Sequence, residues 1–221
     1  MSDLLQLDPD LPDELLVGVV RASGVRSDPS PPPLLAEIDA AIARVAALDA
    51  HPAEPFKKAV RDLLRCRGYK PSGRGKPASE YLAEAARAGE FPRLDVLVDI
   101  NNLVSLQSGL PISVLDLGKF TGQPRLRFGR EGERYVFNRT GQEIELRGLL
   151  TVCDGDLPRG TPVKDGMATK VGPQTSAVLG VIYGTSRALD RAAMAAHVER
   201  FADLLTAHAG AGQVERAVLP G

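Results

Sequence analysis

Asp99 and Asn102 stand three residues apart in the stretch Leu97-Val98-Asp99-Ile100-Asn101-Asn102-Leu103-Val104, and on a helix that spacing places both on one face. The Asn102 amide can donate to a carbonyl or accept from an ammonium. The alternative is a buried polar pair that pins a helix to its neighbouring strands, and for Asp99 we take that structural reading. His51, His197 and His208 are scattered with no metal-ligand spacing. His197 and His208 fall in a C-terminal helical pattern, where a packed or solvated histidine is the expectation. Cys66 and Cys153 form no CxxC and cannot build a disulfide framework. There is no phosphate-binding GxxxxGK[ST], no GxGxxG between a strand and a helix, and no GxSxG nucleophile elbow. The residues therefore predict neither metal nor cofactor, and leave either an enzyme that needs no obvious motif or a binding module.

A second chemical feature is charge. Lys57, Lys58, Arg61, Arg65, Arg67, Lys70, Arg74 and Lys76 are eight basic residues opposed between 57 and 76 by Asp62 alone, a local net charge of +7. A cationic surface of this kind concentrates polyanions and releases their counterions on contact. The other account is a solvated helix whose charge is balanced by the acidic segment of residues 1–14, which holds Asp3, Asp8, Asp10, Asp13 and Glu14 and no basic residue. With aromatic residues at 5% of the chain, an extended stacking platform for single-stranded bases is not expected.

These groups need elements to hold them. The chain has 221 residues, 43% hydrophobic and 25% charged, with a net charge of −1. That composition fits a globular fold and excludes disorder over most of its length. No apolar run reaches transmembrane length, and the N-terminus has no basic-then-apolar leader, so the expected location is cytoplasmic. Residues 15–20 read as a buried strand, followed by a Pro-rich loop at 27–33. Helical spacing of Leu35, Ile38, Ile42 and Val45 predicts a helix over 34–48, and Phe56, Val60, Leu63 and Leu64 a second one up to Gly68. Ser79 is the expected cap of a third helix over 80–87, ended by Gly89, and a fourth spans 95–107. Beyond Pro111 come short strands at 112–116, 124–128, 135–137 and 143–152, then a central strand at 178–183. A last helix covers 190–208, and the tail from Val214 to Leu219 is expected to pack back or to swap with a neighbour. Helices first and strands later, without regular βαβ alternation, predict an α+β fold.

The segment from Leu97 to Phe120 carries the most specific pattern. It resembles the B3/4 domain of the phenylalanyl-tRNA synthetase β subunit, in which Val-Asp-x-(Thr/Asn)-Asn-x-Val-x-Leu on a helix precedes Gly-x-Pro and a strand ending in Asp. Here those features are Val98 to Leu106, Gly109-Leu110-Pro111 and Ile112 to Asp116. Arg125 to Phe128, Gly132-Glu133, Asp165-Gly166-Met167-Ala168 and Thr175 to Tyr183 also fall where the family has counterparts. The resemblance implies a sheet-rich B3/4-type core with flanking helices, as a single domain over 1–221. Its expected parts are an N-terminal strand and loop (1–33), a helical basic part (34–92), the motif-bearing core (93–185) and a C-terminal helix and tail (186–221).

What the resemblance implies for function is hydrolysis of the ester that joins a wrong amino acid to the tRNA 3′ end. With no room here for the other synthetase domains, the expectation is a freestanding trans-editing aminoacyl-tRNA deacylase. An aminoacyl ester is already activated, so its hydrolysis asks for a placed water, donors for the developing oxyanion and a pocket for the amino acid. Asn102 and Ser113 are the catalytic candidates. Ser113 stands where the synthetase domain has a histidine, and serine cannot accept a proton near neutral pH. Asp116 either holds a substrate ammonium or caps the turn at Gly118. Asp165 and Lys170 flank Gly166 and either line the pocket or form a surface turn. Lys57, Lys58, Arg61, Arg65, Lys70, Arg74 and Lys76 are the candidate tRNA contacts. The replaced histidine keeps open a non-catalytic module that binds tRNA or an aminoacyl-tRNA synthetase. A small-molecule binder or hydrolase on the same fold is the third reading.

Overall fold

An unbroken aliphatic run such as Val178 to Tyr183 predicts a strand covered on both sides. In the computed structural model, which describes residues 4–220, that run lies inside a nine-residue strand buried from Val178 onward. Met1, Ser2 and Asp3, read above with the acidic N-terminus, lie outside the described residues. In chain order the elements are β1 (Gln6–Leu7), β2 (Leu15–Ser23), α1 (Pro32–Ala46), α2 (Glu54–Arg65), α3 (Ala78–Ala88), α4 (Val96–Ser108), β3 (Ile112–Asp116), β4 (Pro124–Phe128), β5 (Arg134–Val136), β6 (Glu143–Glu145), β7 (Leu150–Asp154), β8 (Leu157–Gly160), β9 (Ala177–Thr185), α5 (Arg191–Ala209) and β10 (Gln213–Leu219). Four helices precede most of the strands, and the fold is α+β as the pattern predicts. No helix among the described residues is long and apolar enough to cross a membrane.

β9 is central in an antiparallel sheet of order β10-β2-β9-β3. A second sheet, β1-β4-β7-β8, is antiparallel except for the parallel β1–β4 pair, and β5 with β6 forms a separate hairpin. Helix α5 packs onto β2 and β10, with Met194, Val198 and Phe201 buried. Two glycines make that approach possible. A Cβ at Gly18 would lie 2.6 Å from Val198 Cγ2, and one at Gly180 would lie 2.3 Å from Phe201 Cε1. Any side chain at either position would lift the helix off the sheet.

Several sequence expectations need correction. Ser79 does not cap α3: the helix begins two residues earlier than expected, behind Pro77, and the Ser79 hydroxyl is buried with no hydrogen-bond partner among the described residues. The expected strand over 143–152 is broken into β6 and β7 at Gly148, which adopts φ 71°; only glycine takes that conformation without strain. β8 was not anticipated, and of the two expectations for the C-terminal tail the structure shows the first: it packs back onto its own chain. It pairs with β2 from Val17 to Ser23 as the edge strand β10, with Gln213 opposite Ser23 and Leu219 opposite Val17.

Candidate functional site

The helix carrying the polar pair is fixed at both ends. Asp95 caps α4 by accepting from the backbone N–H groups of Leu97 and Val98 at 3.0 and 3.2 Å, which satisfies donors the helix leaves unpaired. Asp99 is held in place by Ser30 Oγ, which donates at 2.6 Å, and by the backbone N–H of Leu94 at 2.9 Å. That is the structural role expected for it: it ties the Pro-rich loop to the helix. At the other end, Gly109 in the left-handed region (φ 74°) stops α4. Ser105 Oγ then donates to the carbonyl of Leu110 at 2.7 Å, and the Leu110 N–H donates to Ser108 Oγ at 3.1 Å. The turn into β3 is thereby rigid, and Asn102 keeps a set position relative to Ile112 and Val114.

Between α4 and β3 opens a cleft of about 730 Å³. Asp95, Val98, Asn101 and Asn102 form one wall, Ile112 and Val114 the floor, and Thr161, Val163, Lys164, Asp165, Met167, Lys170 and Val171 the opposite wall. Phe137, Asn138 and Arg139 from the tip of the β5–β6 hairpin overhang it. The Asn101 Nδ2 group donates to Asn102 Oδ1 at 3.3 Å. Asn102 Nδ2 makes no hydrogen bond to the described residues, so it is a donor left to the cleft. Asn101 Oδ1 is buried without any partner, an acceptor whose desolvation is uncompensated until a ligand fills the site. Sequence reasoning passed over Asn101; its place beside Asn102 in the quoted motif was the signal.

Asp165 lines the same cleft as these amides. Its Oδ1 accepts from Ser113 Oγ at 2.6 Å and from the backbone N–H of Thr161 at 3.3 Å. Burial pushes the Asp165 carboxyl up to about 6, against the opposing pull of the Ser113 hydrogen bond and the Lys170 charge. Gly160 makes room for it, since a Cβ there would stand 2.7 Å from Asp165 Oδ1. Ser113 itself is fully buried and does not line the cleft. Its hydroxyl is 2.9 Å from Tyr183 OH, which is also fully buried. Nothing local marked Tyr183, because a tyrosine within an apolar strand reads as core.

The other candidates disperse. Asp116 is buried off the cleft wall, accepting from the Gly118 N–H at 3.1 Å and from Thr175 Oγ1 at 2.7 Å, with Lys119 Nζ at 3.5 Å. That is the turn-capping arrangement. Lys170 stands exposed at the cleft rim. Lys57 pairs with Glu54, Lys58 and Arg65 with Asp62, Arg61 with Glu80 and Lys76 with Glu84. Arg67 pairs with Asp10 of the acidic N-terminal segment at 3.4 Å. The local +7 is therefore largely balanced, by carboxylates that lie mostly outside the 57–76 window. Lys57, Lys58, Arg61 and Arg65 border a separate hollow along α2 that shares no lining residue with the cleft. Lys70 and Arg74 form no ion pair among the described residues. Arg74 lines a hollow next to the cleft that shares Phe137 and Lys164 with it. Lys164 Nζ sits 3.9 Å from the centre of the Phe137 ring, a cation–π contact. Arg74, Arg139, Lys164 and Lys170 thus gather around the cleft mouth, and of these the sequence reading anticipated Arg74 and Lys170.

The helix–turn–strand that builds this cleft lies inside the part of the chain that matches a known family. The B3/4 domain profile covers residues 69–210. The chain belongs to the B3/4 domain family. It is 38% identical over 80 residues to the phenylalanine–tRNA ligase beta subunits of Pseudomonas fluorescens and of Pseudomonas putida. To that of Legionella pneumophila it is 33% identical over 79 residues. Each match covers 35–36% of this chain and 10% of the ligase subunit. This B3/4 chain is therefore related to a tRNA-synthetase module, and it spans about a tenth of the length of the curated relatives it matches.

Proposed function

We propose that the protein is an editing hydrolase that acts in trans, removing a wrong amino acid from the 3′ end of a mischarged tRNA. The observation that carries this reading is the pairing, in one cleft, of an unengaged Asn102 Nδ2 donor with a buried, partnerless Asn101 Oδ1 acceptor. An aminoacyl ester offers the complement to both. Its carbonyl oxygen gains negative charge as water adds, and a donor already in place stabilises that charge without reorganisation. Its α-ammonium supplies the positive donor that Asn101 Oδ1 lacks. Ile112, Val114, Val163, Met167 and Val171 give the amino-acid side chain an apolar enclosure. Arg74, Arg139, Lys164 and Lys170 surround the mouth and suit the phosphates next to the esterified ribose. The basic residues of α2 add a more distant contact to the same RNA, weakened by their carboxylate partners.

The test is a deacylation screen of the purified chain against a panel of mischarged tRNAs, with Asn102→Ala as control. Release of one or a few amino acids, lost in the variant, supports the reading. No release above the uncatalysed rate across the panel, with tRNA still bound, supports the second reading instead: a tRNA- or synthetase-binding module without catalysis. The observation that favours this second reading is Ser113, which is fully buried where the synthetase domain carries an imidazole.

A further inference from the structure

The hydroxyl of Ser113 has one proton and three neighbours: Asp165 Oδ1 at 2.6 Å, Tyr183 OH at 2.9 Å and the Thr161 carbonyl at 3.3 Å. The shortest contact is to a carboxylate, and charge-assisted hydrogen bonds are the strong ones, so that proton points at Asp165. Tyr183 OH has no other partner among the described residues, and its burial holds it protonated far above its usual range. It therefore donates to Ser113. The result is a chain with one direction, from Tyr183 OH to Ser113 Oγ to Asp165 Oδ1. It begins in the dry core and ends at the cleft that Asn102 also lines.

We propose that Asp165 is the proton acceptor for the hydrolytic water, and that Ser113 and Tyr183 are positioning residues that hold its carboxylate toward the cleft. The inference rests on the editing reading and supplies the step that reading leaves open. A water between Asp165 and the ester gives its proton to the carboxylate as its oxygen bonds to the carbonyl carbon. The oxyanion forms against Asn102 Nδ2. Collapse breaks the bond from the carbonyl carbon to the ribose oxygen, and the proton passes from Asp165 to that leaving oxygen. Ester and water become amino acid and free tRNA 3′ end, and Asp165 returns ionised. A serine at the position of the family's imidazole thus orients a base instead of being one.

The groups that face Asp165 fit this assignment. From β3 comes Ser113, from β9 Tyr183, and Lys170 is the cation that acts on it. Tyr135 from β5 lies nearby with its hydroxyl donated to the Lys164 carbonyl at 2.6 Å, so it offers Asp165 no proton. A carboxyl pushed up by burial is a stronger base than an exposed one, yet is still ionised at neutral pH.

The test measures deacylation of the mischarged tRNA from pH 5 to 8.5 for the wild-type chain and three variants, with the Asp165 carboxyl followed by carbon NMR. Asp165→Asn is expected to lose about 100-fold or more at pH 7 and above, and proportionally less toward pH 5, where the wild-type carboxyl is itself protonated. Ser113→Ala removes a hydrogen bond to the ionised form and moves the acid limb upward by about one pH unit. Tyr183→Phe, which takes away one oxygen and keeps the packing, moves it the same way by less. The NMR titration should move in step with both. Full activity in Asp165→Asn, or an acid limb and titration unmoved in both positioning variants, overturns the inference while leaving the editing reading intact. A wild-type chain inert across the whole panel overturns both.

Discussion

Arg61 closes on both carboxylate oxygens of Glu80, with Nε 2.7 Å from Oε1, and Glu80 is only 5% exposed. The bond ties α2 to α3, so this arginine is part of the scaffold before it is part of any surface. Removing it leaves a buried carboxylate without its cation. Arg61→Ala should cost about 2–4 kcal/mol in urea denaturation. Lys58→Ala, which breaks an exposed pair with Asp62, should cost less than about 0.5 kcal/mol. Equal costs would remove Arg61 from the scaffold.

Asn102→Ala deletes the one amide donor turned into the cleft. Loss of a single oxyanion donor typically slows turnover by about 10²–10³-fold. The variant should therefore lose that much in kcat for deacylation while its melting temperature stays within a few degrees. Asn101→Ala should instead raise KM, because it removes an acceptor for the substrate's ammonium and not a group that meets developing charge. Steady-state kinetics on one mischarged tRNA separate the two; a KM effect at Asn102 and a kcat effect at Asn101 would reverse the assignment.

Part of this was legible in the residues and part was not, for physical reasons. Ile112 to Asp116 falls on β3 with its limits as expected, since a short apolar run between Pro111 and the Asp116 turn leaves little freedom. That Asn102 and Asp165 line one cleft was legible because a motif carries each. Tyr183 was not legible because what sets it apart is a hydrogen bond to Ser113, 70 residues away in sequence. β10 was missed because Glu215 and Arg216 interrupt any apolar alternation, and its stability comes from pairing with β2 almost two hundred residues upstream. The two accounts of the basic cluster could not be separated in sequence for the same reason: Glu80, Glu84 and Asp10 pair with Arg61, Lys76 and Arg67 from outside the window in which charge was counted.

Charge at the cleft mouth separates the two candidate RNA surfaces. Each phosphate contact to a flexible single strand contributes about 0.7 to the slope of log K against log salt. Arg139→Ala and Lys164→Ala should each lower that slope by about this amount and weaken binding several-fold. Lys58→Ala should change it less, because Asp62 already shares its charge. Filter binding of tRNA at four salt concentrations checks this, and a larger loss at Lys58 would move the interface to α2.

Asp154 sets one limit to stability in acid. Burial pushes its carboxyl up, but the backbone N–H groups of Thr121 and Gly122, the Arg159 guanidinium and the Thr121 hydroxyl outweigh that and hold it below the usual range. A carboxyl lowered on folding stabilises the native state above its unfolded value of about 4. That contribution drains away as pH falls through the folded value. Asp154→Asn should therefore flatten the loss of melting temperature below about pH 4, and a variant that tracks the wild type there would refute the role.

Asp165 has the opposite sign, which agrees with the role of proton acceptor proposed for it. Its carboxyl is raised to about 6 in the fold, so the native state binds its proton more tightly than the unfolded chain does. This group's contribution is full below about pH 4 and is lost as pH climbs through about 6. At pH 7 the chain thus holds an ionised carboxylate against its own stability, as a group kept for chemistry would be. Asp165→Asn keeps an oxygen for the Ser113 hydroxyl and removes the charge. It should melt higher than the wild type at pH 7, by about 1–3 kcal/mol of stability, and the advantage should shrink toward pH 4.5. Calorimetry at the two pH values decides the matter. A variant less stable than the wild type at pH 7 would make Asp165 a structural ion held by Lys170, and would take the base out of the cleft.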